Sequence, residues 1–214
     1  MNNDLGKTKA CQKVMLDMLI YFDDVCTKND IPYFMIGGTL LGALRHRGWI
    51  PWDMDIDVAV LEKDLPRLKK LLVETMPPAM FYQDHQTDPY YRGPFPKIRN
   101  RHSNYYEWQE QNPGYKHHNG LQLDIFPYRW IESRQHYEGP GELHHFTRDE
   151  AFPLVRMKFE DYSFVGPQRA RALMEKTYGN LEMPPPEKRV AHEGKAHPFT
   201  PCVHPQSRNY NKKK

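Results

Sequence analysis

The sequence predicts an α/β protein, a mixed β-sheet with flanking helices, and three observations carry that expectation. Apolar residues recur every three to four positions near the start. Aspartates alternate with apolar residues around position 55. Short apolar or aromatic runs, punctuated by Gly and Pro, alternate with further helical stretches. With 214 residues, 39% hydrophobic and 13% aromatic, the chain is long enough for one substantial core.

Taken in order, Cys11, Met15, Met18, Phe22 and Val25 share one face and predict an amphipathic helix over residues 7–28. Polar Lys28-Asn29-Asp30 and then Pro32 end it. Residues 33–36 form a short apolar strand that runs into Gly37-Gly38. A helical pattern resumes over 39–45, with Thr39 as its N-cap. Residues 53–60 read as a strand with one polar face, and 62–75 as a second amphipathic helix closed by Pro77-Pro78. Short β-like runs follow between Met80 and Trp108, then a strand over 121–126 and a helix over 168–178 stopped by Gly179. Residues 1–183 are expected to form one folded domain. Beyond Met183 prolines accumulate, and 184–214 read as a proline-rich arm or poorly ordered tail.

Composition narrows the function classes. A net charge of +3 gives no global basic field for nucleic acid, and the basic run at Lys212 to Lys214 reads as a solvated tail. Three scattered cysteines make neither a disulfide framework nor a zinc spacing. Cys11 and Cys26 fall in the first helix as small core residues, which suits a reducing compartment. No window reaches the ~18 apolar residues of a membrane helix, and the first residues lack a secretory layout. The expectation is a soluble, cytoplasmic protein; a secretory-pathway lumen follows instead if an anchor has been removed.

The informative segment is GGTLLGALRHRGWIPWDMDIDVAV. On a strand, Asp53, Asp55 and Asp57 would share one face at ~6.5–7 Å intervals, with Met54, Ile56 and Val58 turned to the core. Like charges so stacked call for a counter-ion, and hard oxygen ligands favour Mg²⁺ or Mn²⁺ over zinc. The plain alternative is a solvated edge strand with incidental acids. Gly37-Gly38, between a strand and a helix, lets the backbone turn tightly and aim amides at a phosphate. A Gly-Gly turn alone is often only a turn. Joined to the downstream aspartates, it describes the core of polymerase-β-type nucleotidyltransferases. A third carboxylate is then expected from a neighbouring strand, and Asp124 in GLQLDIFPY offers it. A lone Asp in an apolar strand also serves as a buried structural hydrogen-bonder.

These residues resemble the LicD family, which includes bacterial phosphocholine transferases and fukutin-type proteins. FPKIRNRHS, GLQLDIFPY and LMEKTYGNLEMPPPEKRVAH resemble its later landmarks, so the likeness spans roughly residues 10–195. It implies a metal-dependent transferase that moves a phosphoryl-alcohol unit, such as phosphocholine or ribitol phosphate, from a CDP-activated donor to a glycan or polyol hydroxyl. It implies Asp55 and Asp57 as metal ligands and Asp124 as a third ligand or the base. Gly38 and Thr39 would lie against the donor diphosphate, and Arg45 would neutralise phosphate charge. The family often carries an aspartate where this chain has Met54; pointing away from the acid face, Met54 should leave metal binding intact.

Lys97 and Arg99 alternate on FPKIRN and share a face, as donor-phosphate contacts or as a solvated strand face. Ser103 is a further hydrogen-bonder. Tyr105, Tyr106 and Trp108 suit stacking on a base or a cation, yet such aromatics are more often core. Trp49 and Trp52 read as packing. His117-His118 and His144-His145 lack partners at zinc spacing, His192 lies in the exit segment, and no Walker-type loop occurs. Two rival functions stay open. One is true nucleotidyl transfer with pyrophosphate release; the other is a non-catalytic nucleotide- or glycan-binding module.

Overall fold

The computed structural model describes residues 2–107, 116–140, 145–184 and 194–202. Helix α1 (Asn2–Lys28) opens the chain, and Cys11, Met15, Met18, Leu19, Phe22 and Cys26 on it are fully buried. That stripe is the one the three-to-four spacing anticipates. Its end docks on strand β1 (Tyr33–Met35), where the rings of Phe22 and Tyr33 meet edge-on at 5.1 Å.

Helix α2 (Gly37–His46) connects β1 to strand β2 (Asp57–Leu61), which pairs back antiparallel to β1. A single turn of 3-10 helix, Glu62–Asp64, leads into α3 (Leu65–Thr75). Strands β3 (Met80–Gln83), β4 (Lys97–Asn100) and β5 (Asn104–Glu107) follow, then the long β6 (Gln122–Ile131) and short β7 (His136–Glu138). The main sheet has the order β1-β2-β6-β4-β3, with β7 joined to β6. β6 runs parallel to β2 and antiparallel to β4, so the sheet is mixed. Helix α1 lies against β4, β6 and α3. Val58, Val60, Ile98, Leu123 and Ile125 are essentially inaccessible; by strand alternation they face away from Asp57, Asp124 and Lys97.

After α4 (Arg148–Ala151), capped reciprocally by Thr147 and Glu150, a hairpin of β8 (Leu154–Phe159) and β9 (Tyr162–Pro167) returns to the start of the chain. Arg156 donates to both carboxylate oxygens of Asp23 at 2.8 Å, and the Tyr33 hydroxyl donates to Asp23 at 2.6 Å. Helix α5 (Ala170–Tyr178) then packs on α2 and α4. Within the expected arm, strand β10 (Gly194–His197) pairs antiparallel with β5, and Cys202 is buried.

Two expectations need correction. Residues 53–56 are not strand: β2 begins at Asp57. The Asp53 N–H closes a turn on the Ile50 carbonyl at 2.9 Å, and the Gln12 amide, from α1, holds the Ile50 and Asp53 carbonyls at 3.2 and 3.0 Å. Asp53 and Asp55 therefore approach on a pinned loop. Thr39 is not the N-cap either. The helix starts two residues earlier, with Ile36 in the cap position and no side-chain cap bond. Gly37, at φ +55°, makes the turn that only glycine takes without strain. Thr39, 3% exposed in the first turn, instead accepts the Asp57 N–H at 2.9 Å. No helix among the described residues is long and apolar enough to cross a membrane.

Candidate active site

The register of three adjacent strands builds the site. Asp57 stands opposite Asp124 in the parallel β2–β6 pair, and Lys97 stands opposite Asp124 in the antiparallel β4–β6 pair. Residues directly opposite in a ladder project to the same face, so Asp57, Asp124 and Lys97 form a row across the sheet. The Lys97 ammonium donates to Asp124 Oδ2 at 3.0 Å and to Gln122 Oε1 at 3.1 Å, and both ion-pair side chains are at most a tenth exposed. Gln122 Nε2 also approaches Asp124 Oδ2, at 3.4 Å.

The beginning of α2 closes the row from one side. A Cβ on Gly37 would come within 2.6 Å of Asp57 Oδ2, and one on Gly38 within 2.5 Å of Asp53 Oδ2. Side chains are thus excluded at both positions by carboxylates that reach the start of the helix, where unpaired amides and the helix dipole favour negative charge. Asp53 is 6% exposed and one of its oxygens accepts the Met54 N–H at 3.1 Å. Asp55 and Asp57 are half-buried. Burial first, and then the charges of Asp55, Asp124 and Asp53, push the Asp57 carboxyl well above the usual carboxylate range, with Lys97 acting in the opposite sense.

This excess of negative charge is the observation that bears on a metal. Among the described residues, no three Asp, Glu, His or Cys side chains are gathered as a ready ligand set. Mg²⁺ is commonly held by one or two carboxylates together with substrate phosphates and water, rather than by an all-protein cage. Asp55 and Asp57, hard oxygen donors whose mutual repulsion a divalent cation would relieve, fit that manner of binding.

The other expected residues are placed differently. Arg45 lies in the last turn of α2, about 12 Å along the axis from Gly37, and reaches the Glu182 carbonyl at 3.4 Å. Arg99, on the same face of β4 as Lys97, is 1% exposed; its guanidinium donates to Gln83 Oε1 and the Gly120 carbonyl, each at 2.8 Å. Ser103 accepts the Leu121 N–H at 2.9 Å in the turn before β5. Tyr105 and Trp49 are buried, the latter edge-on to Phe159 at 5.5 Å. Trp108, His144 and His192 lie outside the described residues. Gln122 joins the site through its contacts with Lys97 and Asp124 without having been singled out; two residues from Asp124 on β6, it carried the period-two signal.

Fold and site together define a nucleotidyltransferase-type α/β domain: a mixed sheet flanked by helices, with acidic side chains beside a glycine-started helix. Residues 30–169 match the LicD/FKTN/FKRP nucleotidyltransferase domain, and the chain belongs to that family. Over 47 residues, 22% of this chain, it is 55% identical to a lipopolysaccharide cholinephosphotransferase LicD of Haemophilus influenzae. Over 192 residues, 83% of this chain, it is 24% identical to the ribitol 5-phosphate transferase FKRP of Mus musculus. An uncharacterized protein of Rickettsia prowazekii is 45% identical over 49 residues, 23% of this chain. The matches span 18%, 34% and 18% of those three proteins respectively.

Proposed function

We propose that this domain is a divalent-metal-dependent transferase that moves a phosphoryl-alcohol group, of phosphocholine or ribitol-phosphate type, from a CDP-activated donor to a glycan or polyol hydroxyl. The observation that carries the proposal is the in-register row of Asp57, Asp124 and Lys97 beside the start of α2. The family and the activities named for its cholinephosphotransferase and ribitol 5-phosphate transferase relatives point the same way.

In this reading Asp55 and Asp57 would hold Mg²⁺ or Mn²⁺. A bound divalent cation supplies neutralisation of the donor diphosphate and of the departing CMP. Gly37 and Gly38, lacking side chains, bring the first turn of α2 against the carboxylates of Asp57 and Asp53, where a donor phosphate would approach the helix amides with a divalent cation offsetting those charges, and Thr39 fixes that turn against Asp57. Lys97, and Arg45 from the far end of α2, contribute positive charge toward the phosphates. Asp124, which accepts the Lys97 ammonium through Oδ2, aligns the acceptor hydroxyl and takes its proton. A new acceptor O–P bond forms in line as the bond from phosphorus to CMP breaks. The Lys97 contact favours the base role of Asp124 over a metal-ligand role, because the ammonium already engages Oδ2.

The test is a thermal-shift panel of CDP, CMP, UDP, GDP and ADP with Mg²⁺, Mn²⁺ or EDTA, followed by assays for CMP release from CDP-alcohols. A ligand at ~100 times its dissociation constant should stabilise the fold by roughly 2.7 kcal/mol. Metal-dependent stabilisation by CDP, lost in Asp57→Asn, is expected. Retained turnover in Asp57→Ala sinks the assignment. Release of pyrophosphate rather than CMP replaces it with nucleotidyl transfer, and absence of any metal-dependent shift replaces it with a binding module.

A further inference from the structure

A cavity of about 540 Å³ opens past the adjoining ends of β3 and β4, between the start of α3 and the loop of residues 84–96. That volume falls within the ~300–1,000 Å³ typical of small-molecule sites. Leu65, Pro66 and Pro94 give it apolar walls, and Tyr82 and Phe95 give it aromatic ones. The loop that closes it is braced by its own hydrogen bonds. The Tyr91 hydroxyl donates to the Phe95 carbonyl at 2.6 Å, a His85 ring nitrogen meets the Gly93 carbonyl at 2.9 Å, and the Thr87 hydroxyl donates to the Tyr82 carbonyl at 2.7 Å. The walls are therefore preformed. Their polar groups balance in charge: the Lys69 ammonium pairs with Asp84 and donates to Gln86 Oε1 at 2.8 Å. The other Asp84 oxygen accepts the Gln86 and Thr87 N–H groups, each at 2.9 Å. The groups left over are neutral. The Gln86 amide nitrogen, a donor, and the Tyr82 hydroxyl, both donor and acceptor, have no hydrogen-bond partner among the described residues.

Phe95 joins this cavity to the acid row. Its ring packs on Phe126 with centroids 4.1 Å apart, and Phe126 lies two residues beyond Asp124 on β6, hence on the same face. The Lys97 ammonium, 3.0 Å from Asp124 Oδ2, lies 5.3 Å from the centre of the Phe95 ring. The row runs from the start of α2 through Asp57 and Asp124 to Lys97, and the cavity lies beyond its Lys97 end. In-line displacement puts the entering and leaving oxygens on opposite sides of phosphorus. With the donor phosphates at the start of α2, the acceptor enters from the Lys97 end, where the cavity is.

We propose that this cavity is a sugar subsite: it holds a neutral pyranose unit of the acceptor, next to the unit whose hydroxyl receives the phosphoryl group. The acceptor is then a saccharide of two or more units rather than a free polyol. The inference rests on the transferase reading above and specifies the acceptor of the same site. Chemistry selects this occupant. A sugar ring lays its C–H faces on aromatic and prolyl walls and offers its hydroxyls to Gln86 and Tyr82. A phosphate finds Lys69 already neutralised by Asp84. A quaternary ammonium finds the Tyr82 ring already faced by the Lys69 ammonium, 5.6 Å from its centre, and is repelled by it.

Saturation-transfer NMR on the full chain tests this, with maltose, lactose and chitobiose as probes and choline and inorganic phosphate as comparators. The proteins are wild type, Gln86→Ala, Tyr82→Phe and Gln86→Trp, each with its melting temperature. Gln86 is exposed, so its replacements are expected to melt with wild type, and the indole fills the cavity. At least one disaccharide is expected to bind wild type. It should weaken about three- to tenfold in Gln86→Ala and in Tyr82→Phe, the loss of one neutral hydrogen bond, and give no transfer in Gln86→Trp. If Gln86→Trp melts lower, the alanine variant carries the test. Absence of disaccharide binding to wild type, binding equal in all variants, or displacement of the disaccharide by choline or phosphate overturns the proposal. CMP release separates the two readings. Disaccharide binding lost in Gln86→Trp, without CMP release from any CDP-alcohol, removes the transferase and leaves a sugar site standing. CMP release with the saccharide KM unchanged in Gln86→Trp removes the subsite and leaves the transferase. Where both hold, that KM rises about tenfold or more while the KM for the CDP donor stays as in wild type.

Discussion

Lys97 and Arg99 sit two residues apart on β4 and project from the same face, yet the fold treats them in opposite ways. Arg99 is enclosed by neutral acceptors within a network that continues through Gln83 to Asp88 and the His118 backbone. Asp88 Oδ2 takes both the Gln83 amide and the His118 N–H, and His118 Nδ1 in turn accepts the Gly120 N–H at 3.1 Å. Lys97 faces a surplus of carboxylates instead, and one ammonium does not balance the charges around Asp57. A network whose hydrogen bonds close on themselves stabilises a fold. A row whose charges remain uncompensated is a place where a ligand completes the electrostatics.

That contrast can be broken at several points. The largest effect belongs to Asp57→Asn, expected to lower turnover by ~10³-fold or more, about 4 kcal/mol of transition-state stabilisation. In EDTA the same variant should melt higher than wild type, because it deletes a carboxylate whose ionised form the site disfavours. A lower melting temperature would show that the acid row is structural. Arg99→Met is expected to do the converse. Losing two charge-assisted hydrogen bonds should cost about 3 kcal/mol or more, and calorimetry should show the melting temperature falling by ~6–12 °C. An unchanged melting temperature would dissolve the distinction between the two regions.

Gly38→Ala tests how closely the helix start and the acid loop are fitted. The added methyl must displace the Asp53 carboxylate, at an expected cost of ~1–3 kcal/mol, and CDP affinity should fall with it. Stability without loss of nucleotide binding would detach the helix start from the site. The smallest effect is a pH dependence. Burial first, then Arg99 and Arg101, hold the His118 imidazole below its ordinary value of 6.5. The unfolded chain therefore takes up that proton more readily than the folded one. The associated stability is complete above 6.5 and is lost as pH falls below it, at no more than ~1.4 kcal/mol per pH unit from one group. Urea midpoints measured across this range should decline toward acid, and His118→Asn should flatten the decline.

Much of the fold was legible because it depends on local periodicity. The buried stripe of α1, the β3 and β4 runs and the stop at Gly179 are written at helical or strand spacing. Asp55, Asp57 and Asp124 stood out because acids flanked by core residues are costly unless something compensates them. The 53–60 strand went astray where alternation persists but hydrogen bonding does not. Gln12, 41 residues away from Asp53 in the chain, holds that loop, and no window around position 53 contains it. Thr39 misled for a related reason: its hydroxyl found the Asp57 amide across the fold rather than its own helix. The β8–β9 hairpin and β10 escaped because their anchors, Asp23 and β5, are distant in sequence.

The sequence by itself determined the α/β class, the helix faces and the set of acids, since these follow from spacing and from the price of burying charge. Only the tertiary structure decided which residues share the site. It alone set Asp57, Asp124 and Lys97 in one row and drew Arg99 into the interior. Strand register and helix docking are settled by core packing and by hydrogen bonds between residues tens of positions apart. A local pattern can name such residues, but it carries no information about which of them meet.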